Sequence, residues 1–280
     1  MNVPTPEVVV RQAKTPTGIL GFDAITAGGL PCGRTTLLGG GAGSGKTVFA
    51  LQFVINGVRN WDEPGIFVAF EETADRINAN SQSFGWTLDD RQAKNLFFLD
   101  AQPSPELIQS GAFDLGGLLA ILQARISAMG ARRIVLDALD VALASLPDPL
   151  AKRLEVYRLH EWLAANGLTA VITTKAGNDD AFSSGQPFGF MQFMVDCSVI
   201  LSHRVTLGVS QRNLRVQKYR GSAFDENESP YLIGRSGIDV AISRILGRVD
   251  ASVTNERVTS GVERLDTMLG GGYYRGATVL

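Results

Sequence analysis

The chain has 280 residues, of which 45% are hydrophobic and 19% charged, and it contains 31 glycines. This composition is typical of a globular protein, and the length suits one large α/β domain with an extension. Its 26 lysines and arginines nearly balance its 28 aspartates and glutamates, so overall charge does not favour nucleic acid or an acidic membrane as a partner.

The two cysteines, Cys32 and Cys197, lie far apart in the sequence, and the N-terminus lacks the basic-then-apolar pattern of a signal peptide. No uninterrupted apolar run reaches the roughly 18 residues that a membrane-spanning helix needs. We therefore expect a cytoplasmic protein with reduced cysteines that pack as small core side chains.

Short apolar segments alternate with amphipathic ones as far as Lys175. The segments that predict strands are Thr35–Leu38, Ile66–Phe70, Leu96–Leu99, Ile134–Leu136 and Thr169–Thr173. Those that predict helices are Val48–Arg59, Leu115–Met129 and Ala151–Asn166. This βαβ order predicts a mainly parallel sheet flanked by helices, with ligands bound at the carboxyl ends of the strands.

Beyond Lys175 the helical patterns stop. Three strand-like runs follow one another, Cys197–Val205, Gln211–Tyr219 and Tyr231–Ile233. Successive strands without helices between them predict an antiparallel extension at the C-terminal edge of the sheet.

A phosphate-binding motif follows the first of these predicted strands. It has the form G-x-x-x-x-G-K-[ST] and consists of Gly40, Gly41, Ala42, Gly43, Ser44, Gly45, Lys46 and Thr47. Its glycines let backbone N–H groups surround phosphates, and the helix that follows adds the positive end of its dipole. We expect Lys46 to bind the β- and γ-phosphates of ATP and the Thr47 hydroxyl to bind Mg²⁺.

Acidic residues follow two other strands. Asp137 ends an apolar strand and is the predicted Mg²⁺ carboxylate, with Asp140 as the alternative. Glu71 and Glu72 follow Ile66–Phe70, a strand that we expect to lie next to the P-loop strand. We choose Glu71 as the base that activates water, although the pair could also be N-terminal charge of a helix over Thr73–Phe84.

The end of the chain repeats its beginning at a constant offset of 261 − 18 = 243 residues. Thr17 to Leu37 matches Ser260 to Leu280, including the spacing of several glycines, which indicates a duplication. We expect an ATPase domain at 1–247, a linker at 248–256 and, at 257–280, the start of a second, repeated domain that lacks its P-loop.

Several motifs together resemble the circadian clock ATPase KaiC and its bacterial relatives. They are Gly29–Arg34, the P-loop, Phe70-Glu71-Glu72, Ser83–Trp86 and Lys218–Gly221. The resemblance covers nearly the whole chain and concerns the first, ATPase domain of that family. It implies a RecA-like P-loop fold that assembles as a hexameric ring with ATP between subunits, and a regulatory partner of the KaiB type. In the family the second domain performs autophosphorylation, so we expect no kinase activity from this chain alone.

The resemblance also implies site residues. Phosphate and Mg²⁺ contacts fall on Ser44, Gly45, Lys46, Thr47 and Val48, the paired glutamates on Glu71 and Glu72, and a nucleotide contact on Ser83. Contacts from the neighbouring subunit fall on Lys218, Tyr219, Arg220 and Ser222. The chain departs from the family at Phe224, where a histidine is frequent, and at Arg235, which replaces an acidic nucleotide contact. We expect Phe224 to serve packing.

Lys218 and Arg220 lie two apart in a strand-like run, so we expect them on one face with Tyr219 on the other. Such a face suits charge that reaches a neighbour's ATP, with Arg220 as an arginine finger. A solvated basic edge strand is the alternative.

Two other functions fit a RecA-like ATPase. One is a DNA-dependent recombinase or helicase, but the corresponding loop, Ala176–Met191, contains Asp179 and Asp180 and no basic residue. The other is a nucleotide-gated scaffold with incidental turnover. His160 and His203 lack companions at metal-ligand spacing and are expected to be structural. The Phe188–Phe193 segment could be an interface patch in a ring or could pack in the core, and we assign it no role.

Overall fold

A computed structural model describes residues 12–102, 115–146, 148–175, 189–242 and 255–276. The chain divides into two compact units, residues 1–242 and 243–280.

The first unit contains eleven strands among its described residues. They are β1 Lys14–Thr15, β2 Leu30–Pro31, β3 Thr35–Gly40, β4 Gly65–Ala69, β5 Leu96–Asp100, β6 Arg133–Asp137, β7 Thr169–Lys175, β8 Cys197–Thr206, β9 Val209–Tyr219, β10 Ser229–Gly234 and β11 Gly237–Val240. The helices described there are α1 Phe22–Ile25, α2 Lys46–Trp61, α3 Ala74–Ser83, α4 Asp90–Lys94, α5 Gly116–Met129, α6 Leu139–Ala144, α7 Pro149–Ala165 and α8 Met191–Met194.

Nine of these strands form one sheet in the order β11-β10-β9-β8-β3-β7-β6-β4-β5. The strands from β8 to β5 run parallel, and β9, β10 and β11 extend the sheet in antiparallel fashion. This confirms the predicted RecA-like α/β class with antiparallel strands at the C-terminal edge.

One expectation about strand order was wrong. The strand that leads to Glu71 is β4, and it does not lie beside the P-loop strand β3, because β7 and β6 stand between them. Crossover connections let strands distant in sequence become neighbours, so the order along the chain does not fix the order in the sheet. The strand β11 was not predicted at all, because Gly237–Val240 is too short to show a pattern.

The central parallel strands β3, β4, β6 and β7 are buried on both faces, whereas the edge strand β5 is only half-buried. Along β3, Leu37 packs into one hydrophobic cluster with residues of α5 and α7, and Leu38 packs into a second cluster with residues of α2. Complete burial of such side chains contributes about 1.5–3 kcal/mol each. In helix α2 every residue from Phe49 to Val58 is buried, so the segment that follows the P-loop is fixed in the core.

The second unit repeats the turn that β1, α1 and β2 form in the first unit. Its elements are β12 Arg257–Val258, α9 Glu263–Met268 and β13 Tyr273–Tyr274. The pairing of Arg257 with Tyr274 equals that of Lys14 with Pro31 at the same offset, since 257 − 14 = 243 and 274 − 31 = 243. The sequence repeat is therefore also a repeat of backbone structure.

The same hydrogen bonds hold both copies of this turn. The Asp23 carboxylate accepts bonds from the backbone N–H and the hydroxyl of Thr17, and Asp266 accepts the equivalent bonds from Ser260. Their burial differs, however. Ile25 is 5% exposed, whereas its counterpart Met268 is 82% exposed.

Two further observations bear on the expectations from composition. Both cysteines are free. Cys197 is buried as expected, whereas Cys32 is exposed, so the expectation that both pack in the core was wrong for Cys32. Among the described residues no helix is both long and apolar enough to cross a membrane.

Candidate nucleotide-binding site

The P-loop lies between the carboxyl end of β3 and the start of α2, as its sequence predicts. Gly43 and Gly45 have φ values of 70° and 88°, in the left-handed region that favours glycine. A Cβ atom at Gly40 would lie 2.5 Å from the carbonyl oxygen of Leu201 on β8. Gly43 and Gly45 are therefore required by the turn itself, and Gly40 by close packing against the neighbouring strand.

Lys46 is the first residue of α2, and its side chain folds back over the loop. Its Nζ donates hydrogen bonds to the carbonyls of Gly40 and Gly41, at 2.9 and 3.0 Å. Burial lowers the pKa of Lys46, while nearby carboxylates, first among them Asp137, act in the opposite direction. The ammonium group thus lies over the loop, where it is available to phosphate oxygens.

The loop is braced from the antiparallel edge. The hydroxyl of Tyr231 on β10 donates a hydrogen bond to the carbonyl of Ser44, and Tyr231 is 2% exposed. On β11, Ile238 N–H donates to Oε1 of Gln52 in α2 at 2.8 Å. The sequence alone does not predict this brace, because neither β11 nor the position of β10 beside the loop follows from local patterns.

Thr47 and Asp137 come together beside Lys46. The Thr47 hydroxyl donates to Oδ2 of Asp137 at 3.0 Å, and Thr173 on β7 donates to Oδ1 at 2.7 Å. Burial raises the pKa of Asp137, and these two hydrogen bonds act against that rise. A hydroxyl and a buried carboxylate in contact are hard oxygen ligands of the kind Mg²⁺ takes, and a cation there would favour the charged form of Asp137.

The alternative carboxylate, Asp140, lies in the first turn of α6. Its Oδ1 accepts a hydrogen bond from the backbone N–H of Lys175 at 3.3 Å. Burial also raises the pKa of Asp140. Thr47 therefore contacts Asp137, whereas Asp140 positions the end of β7.

Glu71 and Glu72 have different surroundings. Oε1 of Glu71 accepts a hydrogen bond from Nζ of Lys175 at 3.0 Å, and this bond raises the pKa of the lysine. Glu72 is half-buried and adds to the electrostatic rise in the pKa of Asp137. Both glutamates thus lie at the P-loop end of the sheet, although two strands, β7 and β6, separate β4 from β3.

Lys175 was missed as a site residue. It is the last residue of β7 and pairs with Gly40 at the start of the P-loop. The rule that ligands bind at the carboxyl ends of parallel strands would have found it, since Lys175 is a cation at such an end.

The side chains of two residues implied by the resemblance, Ser83 and Val48, do not contact Lys46, Thr47 or Asp137 in the described hydrogen bonds. The hydroxyl of Ser83, at the end of α3, donates to the carbonyl of Asn80 in its own helix. Val48, in the first turn of α2, packs against the hydrophobic core. No described contact joins Ser83 to the P-loop.

Lys218 and Arg220 lie at the opposite end of the sheet. Tyr219 pairs with Cys197, and Cys197 pairs with Thr36 near the start of β3. The four residue steps from Thr36 to Gly40 span about 13 Å along the strand, so this position is remote from the P-loop of the same chain.

Lys218 and Arg220 share a face, as expected. Nζ of Lys218 donates to the carbonyl of Gln192 at 2.7 Å, and Nη2 of Arg220 donates to that of Phe193 at 3.0 Å. Tyr219 points the other way into the core, where its hydroxyl donates to the carbonyl of Gly29 at 3.0 Å.

The neighbouring positions have structural contacts. The Ser222 hydroxyl accepts a hydrogen bond from Nζ of Lys14 at 2.7 Å. The ring of Phe224 stacks on that of Tyr219 with centroids 6.2 Å apart, as expected of a packing residue. Arg235 is exposed between β10 and β11.

Other sequence features add no second site. Nε2 of His203 forms a hydrogen bond with the Ser210 hydroxyl at 2.9 Å, and His160 lies in α7. Within the described parts of the chain, no group of three His, Cys, Asp or Glu side chains could hold a metal. Residues 176–188 of the loop considered for DNA binding lie outside the described residues.

The P-loop at the carboxyl end of β3, with Asp137 at the end of β6, defines the class of protein: a RecA-like P-loop nucleotide-binding domain. Within that class, the family model described as "ATPase: KaiC" matches residues 15–244. The chain therefore belongs to the KaiC ATPase family, and it carries that family's ATP-binding domain.

Similar proteins agree with this assignment. The chain is similar to circadian clock protein KaiC2 of Synechocystis, with 40% identity over 95% of this chain and 47% of the relative. It is 38% identical to the circadian clock oscillator protein KaiC of Parasynechococcus marenigrum, over 97% of this chain and 53% of the relative. The KaiC of Thermosynechococcus vestitus is also 38% identical, over 99% and 53%. The chain thus spans about half the length of these curated relatives.

Proposed function

We propose that the chain binds ATP with Mg²⁺ and hydrolyses it slowly at the seams of a homo-oligomeric ring, with six subunits as in the family. Each seam would join the P-loop end of one subunit to the Lys218–Arg220 end of the next. The subunits would then associate head to tail, an arrangement that closes into a ring when the rotation between neighbours is suitable.

The separation of charges in one chain is the observation that supports this proposal. Lys46 lies at the carboxyl end of the parallel strands, and Arg220 lies beyond their amino end. A phosphoryl-transfer site works far faster when cations lie on both sides of the γ-phosphate. The described cations at the P-loop end include Lys46 and Lys175, and a second copy placed head to tail would add Arg220 from the other side.

The roles of the residues follow from their positions. Backbone N–H groups of residues 41–47 and Lys46 would hold the phosphates. Thr47 and Asp137 would hold Mg²⁺, which shields phosphate charge when bound. Glu71 would orient a water molecule and accept its proton, and Lys175 holds that carboxylate in place. Arg220 of the neighbouring subunit would stabilise charge on the γ-phosphate.

We further propose a regulatory or timing role, because the named relatives are circadian clock proteins. A regulatory protein of the KaiB type would recognise the assembled ring. The second unit would be the start of a repeated domain, joined by a linker over 248–256, of which residues 248–254 lie outside the described residues. This fits its exposed Met268, whose counterpart in the first unit is buried.

The size of the protein in solution tests the proposal. Multi-angle light scattering should show a monomer without nucleotide and a ring of about six subunits with ATP and Mg²⁺. A protein that binds ATP in calorimetry and stays monomeric at micromolar concentration would contradict the seam.

A DNA-dependent ATPase is the competing function. The test is filter binding to single-stranded DNA at low salt, with and without ATP. We expect no ATP-dependent retention, whereas retention with a steep salt dependence would replace the timing role by a role on DNA.

A further inference from the structure

An apolar groove lies between α7 and α8. Leu150, Leu154 and Tyr157 follow one another at helical spacing on one side of α7, and they are 66%, 60% and 58% exposed. Phe193 on α8 is 69% exposed. The groove has a volume of about 490 Å³ and is lined by Arg153, Leu154, Tyr157, Phe190, Phe193 and Met194. Contiguous exposed apolar surface of this kind indicates an interaction site.

The groove adjoins the proposed finger. The carbonyls that hold Lys218 and Arg220 belong to Gln192, Phe193 and Val195, so the segment that positions the two cations also lines the groove through Phe193. Whatever meets Arg220 across a seam would also meet Phe193.

A second apolar projection stands at the other end of the sheet. The hairpin of β8 and β9 exposes Val205, Leu207 and Val209 at its tip, by 65%, 99% and 60%. Leu201 pairs with Gly40, and β8 continues five residues further, about 16 Å beyond the end of β3. Arg212 Nε donates to the Gly43 carbonyl at 3.4 Å, so the hairpin rises directly beside the P-loop.

We propose that the β8–β9 tip of one copy docks into the α7–α8 groove of the next copy. This inference rests on the proposed head-to-tail seam and specifies what holds it together. The tip lies at the P-loop end of the sheet, and Phe193, which lines the groove, lies beside Arg220 at the other end. A projection that fits a recess elsewhere on the same molecule produces a heterologous contact, which is the kind that forms rings.

Cysteine cross-linking tests the contact. In a Cys32→Ser background, a chain carrying both Leu207→Cys and Phe193→Cys is oxidised mildly with ATP and Mg²⁺. Non-reducing electrophoresis should show covalent multimers that end at the closed ring. Phe193 lies just before the start of the ten-residue strand β8 and Leu207 just after its end, so about 30 Å separates them within one copy and a disulfide between them must join two copies.

The matched control carries Leu207→Cys with Ile121→Cys, whose side chain is 52% exposed on α5. It should give no such ladder. If the Leu207–Phe193 protein forms rings by light scattering yet gives no ladder, the docking contact is wrong and the seam itself stands.

A charge at the tip gives a second test. Leu207→Glu changes a side chain that is 99% exposed, so the fold should be unaffected. We expect at least a tenfold higher protein concentration for ATP-dependent assembly, with ATP binding by the monomer unchanged. Ile121→Glu should assemble like the parent. Normal assembly of Leu207→Glu would mean that another segment or another protein covers the groove, and would overturn the proposal. A parent that never assembles would instead refute the seam.

Discussion

At the carboxyl ends of the parallel strands, Lys46, Asp137 and Glu71 gather around the P-loop, together with the lysine that ends β7. At the amino ends, Lys218 and Arg220 contact only backbone carbonyls among their described hydrogen bonds, and the nearby Asp196 forms an ion pair with Arg34 at 3.0 Å. One end therefore has carboxylates that can hold a metal and a water molecule, and the other presents cations.

The comparison shows how the chain can position a positive charge without neutralising it. A neutral carbonyl fixes the direction of an ammonium or guanidinium group, whereas a carboxylate would neutralise it. Lys46 is held in the same way, by the carbonyls of Gly40 and Gly41. Cations fixed by carbonyls at both ends would converge on phosphate if two copies met head to tail.

Lys46→Ala should have the largest effect, because it removes binding, assembly and turnover together. Two charge-assisted hydrogen bonds to phosphate contribute about 1.5–3 kcal/mol each, so ATP should bind about 10²- to 10⁴-fold more weakly. Isothermal calorimetry measures this directly. Binding as tight as in the parent would show that the P-loop assignment is wrong.

Arg220→Ala should separate the contribution of one end of the sheet from that of the other. ATP binding to the monomer should persist, while turnover in the ring should fall by about 10³- to 10⁵-fold, the usual contribution of an arginine finger. Arg91→Ala is the control, since Arg91 forms an exposed ion pair with Asp62. A phosphate-release assay that finds equal rates in both variants would remove Arg220 from the site.

Glu71→Gln should lower turnover by about 10²- to 10⁴-fold while ATP still binds and the ring still forms. The substitution keeps the shape of the side chain and removes the base. Glu72→Gln is the matched control and should hydrolyse ATP at near the parental rate. The reverse pattern would assign the base to Glu72.

Tyr231→Phe should have the smallest effect. It removes one hydrogen bond, to the Ser44 carbonyl, and keeps the buried ring. Such a bond contributes about 1 kcal/mol, so ATP affinity should fall about fivefold. Unchanged affinity would mean that packing alone braces the loop at this edge.

Much of the fold could be predicted from local sequence. The P-loop, the ends of the strands at Asp137 and Glu71, and the repeat at 243 residues depend on short patterns whose backbone conformation is fixed by neighbours. The turn around Asp23 shows this most clearly, because its copy around Asp266 has the same strand register although its surroundings differ.

What depends on distant partners could not be predicted. The separation of β4 from β3, the brace by Tyr231 and the pairing of Lys175 with Gly40 all arise from strand order, which no local pattern encodes. Burial is likewise a property of the partner surface, as the exposed Met268 shows beside its buried counterpart Ile25.

Mixing two inactive variants tests most directly whether the two ends of the sheet meet across a seam. Glu71→Gln subunits keep the arginine finger Arg220, and Arg220→Ala subunits keep the base Glu71. Under conditions where rings exchange subunits, equal random mixing should restore about a quarter of the sites, those at which an Arg220→Ala P-loop faces a Glu71→Gln neighbour. ATP hydrolysis that returns to about a quarter of the parental rate is the expected result. A mixture that stays inactive after demonstrated exchange would contradict the account.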